Sequence, residues 1–330
     1  MIKYYNFAPL DGITRAVFRR VWHEYFGGAD KFYIPFFSPT DQHRITPKDT
    51  RELNPEYNPD GIFVPQVMTK NAEDLIWAAE EARDLGYLEI NLNLGCPSGT
   101  VMGKGKGAGL LYPENLNALD NLLNQSCEKI CLPLSIKTRL GVYQPDEFFK
   151  ILEIFNRYPM ENIIIHARTA KEKYRGPLYY DLFAYALQNS KNPVCYNGDL
   201  KSVEEIREFE KLFPDVETVM IGRGGIADPA LFRKLKGGVP ASRAELEEFT
   251  RTLYQAYQEF YGQIGHAAQR MREIWFYLIY LFDGGENDAE WRKLNKQMRR
   301  FRGSMEYEAA EAAIFRELPL RDSVPKVELA

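Results

Sequence analysis

Short apolar runs rich in β-branched and aromatic residues alternate with amphipathic stretches from the start of the chain to about residue 236. Alternation of this kind is typical of parallel strands joined by crossover helices. Eight such units predict a closed α/β barrel, the (β/α)8 or TIM-barrel fold. The predicted strands are Tyr4–Ala8, Lys31–Phe36, Ile62–Gln66, Tyr87–Leu92, Leu132–Lys137, Asn162–His166, Val194–Asn197 and Thr218–Gly222.

The amphipathic stretches between these strands carry start signals of helices. Ser202 followed by Glu205 has the spacing of a capping box, in which each side chain satisfies a backbone N–H group of the first turn. Apolar residues then recur at helical spacing, which predicts one buried helix face. The residues of that face are Val203, Ile206, Phe209 and Leu212.

The alternation ends near residue 238, where a second capping box, Ser242 with Glu245, opens a stretch almost free of strand-like runs. We therefore predict two domains. Residues 1–238 form the barrel, and residues 239–330 form a small C-terminal helical bundle domain. The tail of that domain, from Leu318 onward, is expected to be loosely ordered.

Composition limits the classes of function that fit the chain. Its 330 residues are 45% hydrophobic and 27% charged, enough to bury a sizeable core. With 42 Lys and Arg against 46 Asp and Glu the net charge is -4, so overall charge does not attract nucleic acid, and any RNA contact must come from a local patch. No apolar run approaches the roughly 20 residues that span a bilayer, and we expect a soluble, cytoplasmic protein.

The four cysteines form neither a CxxC pair nor the spacing of a disulfide framework or zinc site, so we expect reduced thiols and no bound metal. For Cys127, Cys131 and Cys195 a small buried hydrophobic side chain is the preferred interpretation. Cys96 differs, because it follows a predicted strand and precedes the glycine-rich stretch GKGKGAG, which predicts a loop at the barrel end. A thiol with an ordinary pKa near ~8.5 stays mostly protonated at neutral pH and can donate a proton.

The residues that leave each predicted strand are unusually polar, and active sites of (β/α)8 enzymes lie at that end of the strands. Lys137 and His166, at adjacent strand ends, would stabilise negative charge on a bound ring, as a reduced flavin requires. The alternative is a lysine in a salt bridge and a histidine satisfied by backbone. The polar set includes Pro9, Gln66, Asn91, Asn93, Lys137, Arg139, His166, Arg168, Asn197, Gly198, Asp199, Gly222 and Arg223.

The loops after the seventh and eighth strands form the usual phosphate site of this fold, where glycine exposes backbone N–H groups. The segment IGRGG fits that role, and Arg223 can add a two-pronged contact to a phosphate. A helix predicted to start at Asp228–Pro229 follows closely in the sequence. The alternative is a glycine-rich turn that serves only the geometry of the chain.

Six motifs occur along the chain in the order APLDGIT, NLNLGCPSGTVMGKGKGAGLL, SIKTRLG, IIHART, YNGD and MIGRGG. In sequence and order they resemble the tRNA-dihydrouridine synthases, flavin enzymes with a (β/α)8 barrel and a helical C-terminal domain. The cysteine motif with its glycine-rich stretch and leucine pair is quite specific, whereas MIGRG is shared with other flavin barrels. The resemblance covers the whole predicted barrel.

The resemblance implies FMN as prosthetic group, NADPH as electron donor, and reduction of the C5–C6 double bond of a uridine in tRNA. Cys96 would protonate C5, and the flavin would deliver hydride to C6 from the opposite face. The implied cofactor-binding residues are Pro9, Leu10 and Asp11 at the flavin ring, Gln66, Lys137 and His166 at its polar edge, and Asn197, Gly198, Asp199, Gly222 and Arg223 at the ribityl phosphate.

A uracil in folded tRNA must leave its stack to reach the mouth of a barrel, where aromatic and arginine side chains would hold it. The loop after the sixth predicted strand mixes such groups, and the resemblance adds Asn93 as a contact to the base. The substrate-binding candidates are Asn93, Arg139, Arg168, Lys171 and Tyr174.

A second basic group lies on a predicted helix of the C-terminal domain, where it would track the phosphates of tRNA. The alternative is an ordinary solvated helix face. The group consists of Arg292, Lys293, Lys296, Arg299, Arg300 and Arg302.

The sequence departs from the family pattern at a few positions. Leu10 stands where methionine is usual, and Glu273 and Ile274 stand where Lys-His is commoner. These changes leave open which uridine is modified and how tRNA docks. Two other functions also remain open, an FMN-dependent reductase of a small molecule and a non-catalytic RNA-binding barrel. A sugar-phosphate barrel enzyme without flavin is disfavoured, because it has no need of Cys96. We expect a monomer.

Overall fold

The computed structural model describes residues 2–59, 61–262, 264–284 and 288–326. Its eight strands are hydrogen-bonded in chain order into a closed barrel, and the described strand pairs are parallel. The predicted (β/α)8 fold is therefore confirmed. The strands are β1 (Tyr4–Phe7), β2 (Lys31–Phe37), β3 (Phe63–Val67), β4 (Ile90–Leu94), β5 (Leu134–Arg139), β6 (Asn162–His166), β7 (Val194–Asn197) and β8 (Thr218–Ile221).

Four strands end later than the sequence predicts, β2 and β3 by one residue and two others by more. β4 continues to Leu94 and β5 to Arg139, in each case two residues beyond the predicted end. The polar side chains of Asn93 and Lys137 belong to residues paired between these strands, and they do not mark where the strands stop. Polar residues stay inside a closed barrel when they can hydrogen-bond with one another across neighbouring strands.

Helices follow the strands in the expected alternation. In the helix predicted after Ser202, Ile206 and Phe209 are buried, but Leu212 is 65% exposed because it is the last residue of the helix, so the predicted buried face is wrong there. The helices of this part of the chain are α1 (Ala16–Tyr25), α2 (Pro47–Leu53), α3 (Ala72–Asp84), α4 (Gly99–Met102), α5 (Leu116–Cys127), α6 (Phe148–Phe155), α7 (Tyr180–Asn189), α8 (Val203–Leu212), α9 (Arg223–Ala227) and α10 (Leu231–Leu235).

The chain groups into two compact units, each discontinuous in sequence. The first contains the residues up to Asp11 together with Asp30–Gly198 and Glu210–Met220. The second contains Gly12–Ala29, Asp199–Phe209 and the chain from Ile221 onward. The second unit therefore takes segments from both sides of residue 238, and a domain boundary there stays a prediction.

One part of the interior of the first unit is apolar. Side chains from several strands of the barrel form a buried cluster there, and close packing of such side chains is what fills a small barrel. The cluster consists of Ala8, Tyr33, Val64, Ile164, Cys195 and Met220.

The C-terminal helices lie in the second unit. The capping box at Ser242 and Glu245 is present as predicted, and it opens the longest helix of the described chain. Phe249 of that helix packs against two aromatic rings near α1, with ring centroids 6.5 Å from Phe18 and 5.0 Å from Phe26. The helices are α11 (Arg243–Tyr261), α12 (Ile264–Leu278), α13 (Ala289–Arg300) and α14 (Ser304–Glu317).

The chain after α14 is hydrogen-bonded to the turn that follows α12. Leu320 forms an isolated antiparallel bridge with Phe282, and the N–H group of Arg321 donates to the carbonyl of Leu281 at 2.9 Å. Val324 is buried. The predicted loose tail also includes residues 327–330, which lie outside the described residues.

No described helix is both long enough and apolar enough to cross a bilayer. All four cysteines are free thiols. The prediction of a buried side chain is confirmed for Cys195, but Cys127 is only half-buried and the prediction is wrong for Cys131, which is exposed. Across residues 2–59, 61–262, 264–284 and 288–326, no three His, Cys, Asp or Glu side chains come together as a metal site.

Candidate active site

The loop that carries Cys96 begins directly after β4 and is held by Asn93. The Oδ1 atom of Asn93 accepts hydrogen bonds from the backbone N–H groups of Gly95 at 3.1 Å and Cys96 at 2.9 Å. The carbonyl of Cys96 accepts another from the N–H group of Ala108 at 3.1 Å. The glycine-rich stretch thus folds back onto the cysteine and fixes the backbone on both sides of it.

Close packing over the cysteine explains the glycine at position 107. Gly107 has a φ of +56°, a conformation that side chains disfavour. A Cβ atom there would lie 3.0 Å from the Cγ1 atom of Val101 and 3.1 Å from the Cβ atom of Cys96. The glycine-rich sequence therefore lets the loop approach Cys96 closely.

The half-buried thiol of Cys96 is kept in its protonated form. Burial raises its pKa, and the nearby charge of Asp11 acts in the same direction. A backbone hydrogen bond from Ser98 and the positive charges of Arg139 and Lys137 only partly oppose this. At neutral pH the group is a thiol, which suits a proton donor better than a nucleophile.

Lys137 lies on β5 and is tied to the end of β7. Its Nζ donates to the Oδ1 atom of Asn197 at 2.8 Å, and the Nδ2 atom of Asn197 donates to the carbonyl of Met220 at 2.8 Å. Burial lowers the pKa of Lys137 to about 7, and the neighbouring charge of Arg139 lowers it further. Lys137 can therefore hold or release a proton near neutral pH.

Arg139 braces the loops after β4 and β6. It is only 2% exposed, and it donates to the carbonyls of Gly95 at 2.9 Å, Thr169 at 2.9 Å and Lys173 at 2.7 Å. Burial lowers its pKa to about 10, and the charge of Arg168 contributes. An arginine held by three carbonyls positions the backbone of both loops.

The loop after β6 brings an aromatic ring to this cluster. The exposed ring of Tyr174 has its centroid 5.4 Å from the guanidinium carbon of Arg139 and 5.9 Å from the ring centroid of His166. Arg168 donates to the carbonyl of Gly176 at 2.6 Å and lies 3.4 Å from the Nε2 atom of His166. Cationic and aromatic groups thus meet at the carboxyl ends of β5 and β6.

The cluster is electropositive. In the part of the chain that the structure describes, neither Lys137 nor Arg139 forms an ion pair with a carboxylate. Buried cations without acidic partners favour an electron-rich ligand, or one that gains negative charge during reaction.

The other predicted site residues of the first unit are in different settings. Gln66 is buried, with both ends of its amide engaged by Asn91 and Asn93 at 2.7 Å. Pro9 and Leu10 are half-buried after β1, whereas Asp11 is exposed. Lys171 is also exposed. Gly198, a predicted cofactor-binding residue, also belongs to this unit.

Asp199, Gly222 and Arg223 lie in the second unit. The guanidinium of Arg223 donates to the carboxylate of Asp199 at 2.6 Å, and Asp199 has a φ of 41°. Gly222 directly precedes α9. An arginine beside glycine-exposed backbone is a group that can bind a phosphate.

The predicted helix start at Asp228–Pro229 is wrong, since α10 begins at Leu231. The buried carboxylate of Asp228 pairs with Lys234 instead of leading a helix. Burial raises the pKa of Asp228, although the charge of Lys234 opposes the change.

Sequence reasoning missed three polar residues that are linked to Asn93 through hydrogen bonds inside the barrel. Asn91 was noted only as a strand end, and Glu89 and Ser135 were not considered. Glu89 directly precedes β4 and Asn91 and Asn93 lie within it, at every second position, so their side chains share a face. Polar residues at every second position of a strand buried on both faces were the signal for an internal polar network.

Residues 6–318 match the family model described as dihydrouridine synthase (Dus). This chain belongs to the dihydrouridine synthase family. Among its curated relatives, a tRNA-dihydrouridine synthase B from Pasteurella multocida is 27% identical, with 82% of each chain covered. A probable tRNA-dihydrouridine synthase from Staphylococcus aureus is 28% identical over 70% of this chain and 71% of that protein.

Solved structures agree with the fold of this chain. Morphinone reductase superposes with a TM-score of 0.53 at 12% identity, covering 73% of this chain and 87% of that one. Similarity at this level of identity concerns the barrel alone.

Proposed function

We propose that this protein reduces the C5–C6 double bond of a uridine in tRNA, with FMN as cofactor and NADPH as electron donor. The observation that carries the proposal is the protonated thiol of Cys96, held on a fixed loop within electrostatic reach of Lys137 and Arg139. The names of the curated relatives support tRNA as the substrate.

The residues present fit a flavin. A reduced flavin carries negative charge along its polar edge, and the cluster offers the partly titrating amine of Lys137 together with His166. FMN, when bound, supplies the hydride that is added to C6. We propose that the protein holds its ring with Pro9, Leu10, Asp11, Gln66, Lys137 and His166, and its ribityl phosphate with Asn197, Gly198, Asp199, Gly222 and Arg223.

Cys96 supplies the second hydrogen. Its thiol transfers a proton to C5 of the uracil, and the resulting thiolate is reprotonated by solvent. The raised pKa of Cys96 keeps the proton on sulfur before reaction and favours reprotonation of the thiolate afterwards. The hydrogen bonds of Cys96 to Asn93 and Ala108 fix the backbone from which the thiol acts.

The candidate substrate-binding residues divide by exposure. Lys171 and Tyr174 are exposed, and we propose that they contact the RNA directly, with Tyr174 stacking on a base. Asn93, Arg139 and Arg168 are buried and engaged with neighbouring backbone or side chains. We propose that these three buried residues bind the uracil ring, whereas the exposed ones contact the surrounding RNA.

The basic face of α13 is a second proposed RNA contact. A cavity of about 990 Å³ lies along α13 and α14 and is lined by four basic residues of the former. Arg299 is engaged elsewhere, since it stacks on Phe276 at 4.2 Å and donates to Asn295 at 2.9 Å. The four basic residues that line the cavity are Arg292, Lys293, Lys296 and Arg300.

The test is to map dihydrouridine by mass spectrometry in unmodified tRNA incubated with FMN-loaded protein and NADPH. We expect a gain of about two mass units at a defined uridine with the wild type, and no gain with Cys96→Ala although NADPH still reduces its flavin. A Cys96→Ala variant with full activity would show that the proton donor is wrong. A flavin-loaded wild type that modifies only small molecules, and no tRNA, would make the protein a small-molecule reductase.

A further inference from the structure

Five buried polar side chains form one continuous hydrogen-bond chain inside the barrel, which we call the amide relay. It runs from the residue before β4 to the loop that carries Cys96. The relay consists of Glu89, Ser135, Asn91, Gln66 and Asn93.

Each link of the relay is short and fully buried. Ser135 Oγ donates to Glu89 Oε1 at 2.5 Å, and Asn91 Nδ2 donates to Ser135 Oγ at 2.8 Å. Gln66 Nε2 donates to Asn91 Oδ1, and Asn93 Nδ2 donates to Gln66 Oε1, both at 2.7 Å. Every member is less than one-tenth exposed. Water is thus largely excluded as a replacement partner.

The chemistry at the Cys96 end of the relay is satisfied by one orientation of the amides. The backbone N–H groups of Gly95 and Cys96 can only donate, so Asn93 must present its oxygen to them. Its amide nitrogen therefore donates to the oxygen of Gln66, and the nitrogen of Gln66 donates to the oxygen of Asn91. Each amide passes the same direction of donation to the next one.

The Glu89 end of the relay requires the same direction of donation independently. Glu89 Oε2 forms an ion pair with Lys31, and Glu89 Oε1 accepts from Ser135 and, at 3.3 Å, from the hydroxyl of Tyr33. Lys31 lies also 3.5 Å from Glu161. A carboxylate accepts and does not donate, so the hydroxyl hydrogen of Ser135 must point toward Glu89. The two ends of the relay therefore agree.

We propose that Glu89 is a positioning residue for Cys96, setting through the amide relay the direction in which Asn93 presents its oxygen to the cysteine loop. The ion pair with Lys31 supplies the fixed acceptor from which that direction starts. Reversing the direction at Glu89 has two possible results: Ser135 accepts on both sides and its hydroxyl hydrogen loses its acceptor, or the amides turn over and Asn93 Nδ2 faces the N–H groups of Gly95 and Cys96, donor against donor. We propose that the second result contributes, because it alone reaches the cysteine loop. The consequence for catalysis rests on the proposed function, whereas the consequence for the loop does not.

Glu89→Gln tests the direction with almost no change of shape. The new amide has one oxygen, and Lys31 attracts it to the place of Oε2. The amide nitrogen then faces Ser135 and donates to it, so that Ser135 either loses its own acceptor or passes the reversal on to Asn91. The double variant Lys31→Met, Glu89→Gln removes that attraction, so the oxygen can face Ser135 again and the native direction returns.

The measurement is hydrogen exchange of the Gly95 and Cys96 amides in the whole chain, with the Ile164 amide as a core reference. We expect Glu89→Gln to speed exchange at Gly95 and Cys96 about tenfold, as for loss of one ordinary hydrogen bond, with Ile164 unchanged. The double variant should return to within about twofold of wild type. Alkylation of Cys96 relative to exposed Cys131 should follow the same order.

Ser135→Ala is the second variant, because it cuts the relay without altering the ion pair. It should speed exchange at Gly95 and Cys96, and adding Lys31→Met should not restore it. The proposal is overturned if Glu89→Gln leaves both amides as protected as in wild type, if all amides change equally, or if the double variant is not restored. These outcomes need neither flavin nor tRNA, so they are separate from a failure of dihydrouridine formation by the wild type.

Discussion

The pKa of Lys137 predicts how the stability of the flavin-free protein depends on pH. Its pKa is 10.5 as an ordinary lysine and about 7 in the folded protein, chiefly through burial. Below pH 7 the folded state carries a half-buried ammonium group. Above pH 7 the folded state has lost that proton while the unfolded chain keeps it up to pH 10.5. The unfolded state thus binds more protons in this window, and stability must rise with pH.

The size of the effect follows from the two pKa values. They differ by about 3.5, and each unit corresponds to ~1.36 kcal/mol, which gives an upper limit of about 5 kcal/mol. Lys137 is only half-buried, so solvent screens part of the cost. We expect about 2 kcal/mol, still large compared with a typical free energy of unfolding of ~5–15 kcal/mol.

The assay is urea unfolding of flavin-free wild type and Lys137→Met, followed by tryptophan fluorescence between about pH 6 and pH 10. Other groups titrate in both proteins and cancel in the difference. The free energy of unfolding of wild type should gain about 2 kcal/mol on Lys137→Met across this range. Lys137→Arg cannot release its proton and should keep a constant difference from Lys137→Met. A pH-independent difference between wild type and Lys137→Met would refute the reasoning.

Three further predictions concern other parts of the chain. Gly109→Ala would place a Cβ atom 2.7 Å from the carbonyl oxygen of Met102, so it should lower the free energy of unfolding by ~2–4 kcal/mol in urea unfolding, and unchanged stability would contradict the close approach. Ser242→Ala removes the cap of α11 and should cost ~1 kcal/mol by the same assay, whereas Ser242→Gly should cost only a few tenths. Arg223→Ala should release FMN on gel filtration, detected by loss of flavin absorbance, and a variant that stays fully loaded would count against the phosphate contact.

The sequence predicts the barrel well because its strongest signal is periodic. Eight apolar runs alternate with helical stretches, and each run contains one of the observed strands or most of it. The errors occur where burial depends on neighbours in space. Leu212 continues a helical pattern but belongs to the last turn, and Asp228 has the spacing of a cap but is taken by Lys234.

Some residues of the candidate site could likewise be predicted from the sequence, and others could not. Cys96, Lys137, Arg139 and His166 were identifiable because they lie at or after the predicted ends of strands, and strand ends of a barrel converge. Glu89 lies at the opposite end of its strand, and no rule about strand ends points to it. Its partners depend on the pairing of β4 with β5 and β3, which sets Asn91 opposite both Ser135 and Gln66. Such register is not written in any one segment of the sequence.

The discontinuous second unit affects the order in which this protein can fold during synthesis. α1 ends at Tyr25 and α11 begins at Arg243, yet Phe249 packs against Phe18 and Phe26, and Tyr25 lies 2.8 Å from Thr252 through their hydroxyl oxygens. On the ribosome, α1 must wait without this partner until almost all of the barrel sequence has been translated. A fragment that starts at residue 239 would likewise expose Phe249, so RNA-binding assays on isolated C-terminal helices would report on an incomplete fold.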